Sequence, residues 1–340
     1  MDIKLKIVDI LQEKGQVKSS DIIKLTGFSR SYVNRFFQEL RNEGKILLVG
    51  KANTARYILA TKEALEKVRE EIQFVHSILI NEGLLEDIIF DRIKKENGIF
   101  LDLSDNVSKI LNYAFTEMLN NAIEHSCSAK VEIAMKKEGG KIVFKVIDKG
   151  MGIFNNIMKK KELKEELEAI QSLLKGKLST DEAHHSGEGI FFTSKVADML
   201  IIQSSQKKIL FNNIIDEVFI EDVKNTNGTK IFFTINCNSQ RELENIFKEY
   251  TDDSYEFSKT EVIVKLYKEG VEYISRSQAR RILSGIDKFK TIILDFKDVE
   301  TVGQGFADEI FRIWKLRYPN IEIIYQNANE NIDFMIKRAE

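Results

Sequence analysis

One stretch, FTEMLNNAIEHS at 115–126, narrows the possible folds of this chain further than any other. Ile110, Leu111, Ala114, Met118, Leu119 and Ala122 recur at helical period and make an apolar face. Glu117, Asn121 and His125 repeat every four residues, so a carboxylate, an amide and an imidazole stack in one column beside that face. Alone, such a column is also what an ordinary solvated helix presents. Its meaning depends on the segments C-terminal to it.

With 340 residues the chain is long enough for two or three domains, each burying its own core. No apolar run approaches the ~20 residues that cross a bilayer, and the opening MDIKLKIVDI is charged and lacks a signal-peptide core. A cytoplasmic protein with no membrane partner is expected. Cys127 and Cys237 are far apart, without CxxC spacing or nearby histidine clusters, which argues against a disulfide framework or a cysteine metal site. Both read as buried thiols. Residues 1–60 hold 11 Lys and Arg against 6 Asp and Glu, whereas the whole chain carries −2. This implies a small basic module on an acidic body.

That basic segment reads as helix, helix, turn, helix. Residues 2–14 are amphipathic and end at Gly15; SSDIIKLTGFS gives a Ser-capped second helix and a turn at Gly27; SRSYVNRFFQELRNEG opens at Ser29 and closes at Gly44. Two β-prone runs, KILLVG and ARYILA, then suit a hairpin wing. Together they resemble a winged-helix domain that binds double-stranded DNA. The resemblance puts Ser29, Arg30, Ser31, Tyr32, Asn34 and Arg35 toward the major groove, with Lys51 and Arg56 of the wing on phosphate. A winged helix used for dimerisation or protein docking is the alternative.

Residues 61–96 read as a charged, mostly helical connector whose narrow stripe of Ile72, Val75, Leu79 and Ile80 suits pairing with a second copy, hence a homodimer. His76 lies in that stripe and is taken as packing, because FVHSIL lacks the acidic, Arg and Pro neighbours of a phosphoacceptor histidine.

Beyond the opening helix, AKVEIAMKKEGGKIVFKVIDKGMGI reads as two strands joined at Gly139-Gly140, the second ending in Asp148-Lys149-Gly150-Met151-Gly152. Next come a charged helix from about 158 to 175, the stretch STDEAHHSGEG, a helix near 190–198 and a strand entered through Gly228-Thr229. ExxxN on a helix, DxGxG after a strand, GxG before a later helix and GT before a last strand, in this order, resemble the GHKL superfamily of gyrase, chaperone, mismatch-repair and histidine-kinase ATPases. ExxxNAxxH looks closest to its anti-sigma-factor serine kinases.

The resemblance implies ATP and Mg²⁺ as ligands. Asn121 would give an amide oxygen to the metal, a hard cation that prefers oxygen. Asp148 would accept from the adenine amino group, Gly150 and Gly152 would let the backbone turn under the base, and Thr229 would hydrogen-bond near the adenine or its water. Gly187 and Gly189 would lie in the lid, where a helix N-terminus favours phosphate. Glu117 would orient and deprotonate an attacking water or hydroxyl, making it the catalytic candidate. His125 is expected to cap or pack the helix end. The lid departs from the common pattern, since His184 and His185 have no nearby Arg for the terminal phosphate.

From 256 to 340 strand and helix alternate: EVIVKLY, SRSQARRILSGI, KTIILDF, GFADEIFRIWKLR, NIEIIYQN, ENIDFMIKRA. This order resembles a STAS-like domain of the anti-sigma-antagonist type, which implies a protein partner. Where that family carries a phosphoacceptor Ser after its central strand, this chain has Gly303, Gln304 and Gly305, and Thr301 stands too early in the loop. Arg280 and Arg281 read as the wet face of a helix, with a charged docking edge as the alternative.

The expected architecture is multidomain α+β. A winged helix-turn-helix spans 1–60, the connector 61–96, a GHKL α/β sandwich with helices on one face of a mixed sheet 97–240, a linker 241–255 and a STAS-like β/α domain 256–340. The function expected is that of an ATP-binding, DNA-associated regulator. A protein serine kinase of a partner switch and a dimeric ATPase clamp are the alternatives.

Overall fold

The structure, a computed structural model, describes residues 2–49, 55–176, 188–254, 256–267, 273 and 275–340. The chain forms two compact units, Met1–Val75 with Arg92–Leu101 and His76–Asp91 with Asp102–Glu340. Among the described residues no helix is long and apolar enough to cross a membrane.

In the first unit α1 (Ile3–Lys14), α2 (Ser19–Thr26) and α3 (Arg30–Asn42) pack around Ile3, Ile7, Leu11, Ile22, Val33, Phe37 and Leu40. The Asp2 carboxylate caps α1 and Ser29 Oγ accepts the Tyr32 N–H at 3.3 Å to start α3. At α2 the N-cap is Lys18, not the serine expected, and its N–H donates to Asp21 Oδ2 at 3.0 Å. β1 (Ile46–Val49) and β2 (Arg56–Leu59) pair antiparallel as the wing, and Val17 bridges to Tyr57.

Residues 61–96 differ from a continuous helical connector. They form α4 (Lys62–Glu71), β3 (Phe74–Ile80) and α5 (Glu86–Glu96). FVHSILI is rich in the β-branched and aromatic residues that suit a pleated surface, and its exposure alternates residue by residue. The helical stripe of Ile72, Val75, Leu79 and Ile80 therefore does not form, and with it goes the ground for pairing two copies through a helix. His76, read as packing, is half-exposed, its Nε2 3.0 Å from Glu132 Oε1.

In the second unit the long helix α6 (Asp105–His125) lies on a five-stranded sheet of order β3-β4-β5-β7-β6, with β4 (Lys130–Glu138), β5 (Lys141–Asp148), β6 (Met199–Asn212) and β7 (Glu217–Asn236). Ile110, Leu111, Ala114, Phe115, Met118 and Leu119 are fully buried. Phe115 meets Phe144 edge-on at 5.4 Å, and Phe144 stacks on Phe233 at 4.7 Å. Each such ring contributes about 1.5–3 kcal/mol of burial, which fixes the face α6 turns inward. The charged segment expected as one helix is two, α7 (Ile153–Lys161) and α8 (Glu166–Leu174), interrupted where Glu162 takes a left-handed φ of 53°. Cys127 is exposed and Cys237 half-buried, so neither is the buried thiol expected. Cys127 sits at φ 57° in the turn between α6 and β4, where the chain faces outward.

The C-terminal part alternates β8 (Lys259–Ile263), α11 (Arg276–Leu283), β9 (Thr291–Asp295), α12, β10 (Glu322–Gln326) and α13 (Glu330–Ala339). The turns of α12 run Gln304–Ala307, Asp308–Trp314 in π winding and Lys315–Arg317. β8 and β10 flank β9, and both pairings are parallel. Residues 241–255 are more than a linker, since α10 (Leu243–Tyr250) packs there. With α9 (Gly189–Val196) it belongs to one hydrophobic core shared with the parallel sheet: Phe191 and Phe192 contact Phe257 at 4.8 and 5.1 Å, and Phe257 meets Phe289 at 5.3 Å.

Candidate functional site

Asp148 ends β5 and is only 4% exposed. Its Oδ1 accepts the Gly150 N–H at 2.9 Å. Burial pushes the Asp148 carboxyl above the usual carboxylate range, while hydrogen bonds from Gly150 and from the Thr229 backbone and hydroxyl pull the other way. Three glycines allow this turn to close. A Cβ on Gly150 would lie 1.8 Å from the Ser126 carbonyl oxygen, and one on Gly228, at φ 76°, would lie 2.3 Å from the Asp148 carbonyl oxygen and 2.6 Å from its Oδ1. Gly152, at φ 83°, begins α7 and has Ser204 Oγ where its Cβ would go. The loop is tied further by Met151 N–H to Ser126 O at 2.8 Å, Ile153 N–H to Thr229 Oγ1 at 3.0 Å and Ser204 Oγ to Gly228 O at 2.9 Å.

Asn121, His125, Asp148, Gly152 and Thr229 line one slot whose walls are Met118, Val146, Ile153 and Ile231. An apolar slot with a buried carboxylate in its lining suits a heteroaromatic ring bearing an amino group, which offers π-faces to the walls and N–H to the acid. His125, expected to cap or pack the end of α6, is one of the lining residues.

Glu117, one turn before Asn121, reaches α9: a Cβ on Gly189 would lie 1.9 Å from Glu117 Oε2. With glycine there the carboxylate lies against the first turn of α9, and a larger residue would displace it. One turn earlier still, Tyr113 extends the column; burial, then the charges of Glu117 and Glu188, hold its hydroxyl well above the usual phenol range. Sequence reasoning missed Tyr113 although it obeys the same four-residue spacing, and missed Ser126 and Ser204, whose roles exist only once distant segments meet. Gly187, His184 and His185 lie outside the described residues.

In the first unit Ser29, Arg30, Ser31, Tyr32, Asn34 and Arg35 are all exposed along the start of α3. Arg56 is otherwise engaged. Its guanidinium pairs with Glu71 of α4, so a DNA phosphate would compete there with an exposed carboxylate. Lys51 lies outside the described residues.

Comparison with known proteins matches three segments of the chain. Residues 2–46 match the winged helix-turn-helix DNA-binding family, residues 58–214 the histidine kinase-like ATPase domain, and residues 278–333 the STAS-like domain of unknown function (DUF4325). The chain thus has an N-terminal winged helix-turn-helix, a central histidine kinase-like ATPase domain and a C-terminal STAS-like domain. No curated protein matches it. Among solved structures, the crystal structure of the Thermotoga maritima IclR is similar at 13% identity over 72% of this chain and 93% of that one, with a TM-score of 0.15. So low a score carries no argument.

Proposed function

We propose that this protein is a cytoplasmic, ATP-binding, DNA-associated regulator in which nucleotide binding or hydrolysis in the histidine kinase-like domain modulates DNA binding by the winged helix and the interactions of the STAS-like domain. The observation that carries the nucleotide reading is the buried Asp148 carboxylate, fixed by Gly150 and Thr229 at the edge of an apolar slot. Asp148 would accept from the adenine amino group, and Thr229 would hold the carboxylate in register. Asn121 offers an amide oxygen of the hard type Mg²⁺ prefers, and among the described residues no group of three His, Cys, Asp or Glu gathers to hold a metal by itself. A metal here would take its other oxygens from phosphate and water, and when bound it neutralises phosphate charge. The start of α9 at Gly189 offers a helix N-terminus that favours phosphate, and Glu117 stands where it could orient and deprotonate a water or hydroxyl.

Support for coupling between the nucleotide slot and the STAS-like domain comes from α9. Its first turn touches Glu117, while Phe191 and Phe192 sit in the core of the STAS-like domain. Lys195 of the same helix pairs with Glu261 of β8, and Tyr250 Oη lies 3.4 Å from the same Glu261 oxygen. Burial opposes the Lys195 charge, but Glu261 and Tyr250 outweigh it and hold the ammonium above the usual lysine range. A rigid helix bound at both ends transmits a shift from one to the other, and a ligand moves such an element only by its differential affinity for the two arrangements. The test is DNA affinity by fluorescence anisotropy on duplexes from the protein's own locus, with no nucleotide, with ADP, and with ATP on the Glu117→Ala variant. A coupling of roughly 5–150-fold is expected. Equal affinity in all three states would mean that the modules are only tethered.

A further inference from the structure

The first two turns of α3 carry more than polar groups. Phe28, in the turn before the helix, meets Tyr32 edge-on at 5.2 Å, and Tyr32 meets Phe36 edge-on at 5.1 Å. The Arg35 guanidinium lies 5.1 Å from the Tyr32 ring centre and 5.0 Å from that of Phe36. Phe28 and Tyr32 are each 41% exposed, while the core-facing side of α3 is already filled by Val33, Phe37 and Leu40. Phe36, half-buried, packs against that core, and the Phe28 and Tyr32 rings beyond it are surplus to it. They form a rigid apolar ladder on the outer side of the helix, held in place by their neighbours and by Arg35.

The charge around the ladder selects its partner. Residues 22–38 contain Lys24, Arg30 and Arg35 and no acidic residue. Arg30, Ser31, Asn34 and Arg35 are exposed beside the rings. A surface that is cationic, bears hydrogen-bonding side chains and also presents exposed ring edges fits the floor of a DNA major groove, where the thymine C5-methyl is the apolar group a base pair offers. Asn34 adds the matching polar half, since a side-chain amide can bond adenine N6 and N7.

We propose that Phe28 and Tyr32 read thymine methyl groups in the major groove, so that this winged helix selects sites with A·T pairs marked by those methyls. The inference rests on the DNA-binding reading above and names the bases it would recognise. Phosphate contacts from Lys24 and Arg30 would position the helix, and the aromatic contacts would supply the sequence preference. Removing one buried methyl should weaken binding about fourfold.

The experiment enriches duplexes from a randomised pool with the full-length protein and then replaces each thymine of the enriched site by deoxyuridine, which lacks only the methyl. Affinities are read by anisotropy for the wild type, Phe28→Ala and Tyr32→Ala. Melting temperature reports whether these half-exposed substitutions leave the fold intact. The proposal expects a loss of about fourfold at one or two thymines for the wild type, and no further loss from deoxyuridine at the same position once the contacting ring is removed. Salt-dependent DNA binding that ignores every thymine-to-deoxyuridine exchange overturns the proposal and leaves DNA binding standing. An unchanged DNA affinity in both Ala variants overturns it too. Absence of any DNA binding or enrichment overturns both this inference and the reading beneath it.

Discussion

Replacing Gly228 by Ala tests how the nucleotide slot is built. Gly228 has φ 76°, and a Cβ there would lie 2.3 Å from the Asp148 carbonyl oxygen and 2.6 Å from its carboxylate. The left-handed backbone alone costs a non-glycine residue about 1–2 kcal/mol. The overlap is with main chain, so it cannot be relieved by turning a flexible side chain; Asp148 has to move. If ATP then loses the hydrogen bond to a correctly placed buried acceptor, about 1–3 kcal/mol, its affinity falls roughly 5–150-fold. Gly140→Ala is the control. It has φ 72° and nothing within 4 Å of its added Cβ, so it bears the backbone cost and leaves Asp148 alone. Melting temperatures should fall in both variants by about 2–4 °C per kcal/mol. Calorimetric titration with Mg·ATP should show weakened binding in Gly228→Ala only. Equal ATP affinity in the two variants would refute the reasoning.

The same structure makes further outcomes testable. Because burial raises the Asp148 pKa, the stability this group contributes is full at low pH and is lost as pH rises through its folded value, while the ionised acceptor appears over that same interval. ATP affinity of the wild type should therefore climb with pH across a window above the usual carboxylate range, and a wild-type affinity that stays flat through that window would contradict this. Glu261→Gln leaves the Lys195 ammonium without its counter-charge, which should cost about 3 kcal/mol of stability and alter ATP affinity although Glu261 lines no part of the slot; unaltered affinity would separate the two modules. Incubation with labelled ATP should leave residues 256–340 unlabelled because Gly303, Gln304 and Gly305 offer no hydroxyl, and phosphate on Thr301 by mass spectrometry would revive a self-acting kinase.

The parts of this molecule legible in the sequence are those whose signal is local. α6 follows from its 3.6-residue period, the wing from two short β-prone runs, and the loop Asp148–Gly152 from glycines that only a close turn requires. The strand Phe74–Ile80 is not, because Ile72, Val75 and Leu79 also fit helical spacing and a short apolar run satisfies both periods. Phe191 and Phe192 give no sign of belonging to the core of another domain, since burial against a segment 60 or more residues away leaves no local pattern. Likewise, Arg56 looks like a free cation until α4 folds back and supplies Glu71.

The central claim is that Asp148 and Asn121 make a site for ATP with Mg²⁺, and calorimetric titration of Mg·ATP into wild type, Asp148→Asn and Asn121→Ala tests it most directly. Circular dichroism and melting temperature establish that both variants remain folded. The account predicts a saturable heat for the wild type that is lost in each folded variant, because each substitution removes the acceptor or the metal-binding oxygen on which the ligand depends. Wild-type affinity for Mg·ATP in both variants would contradict it.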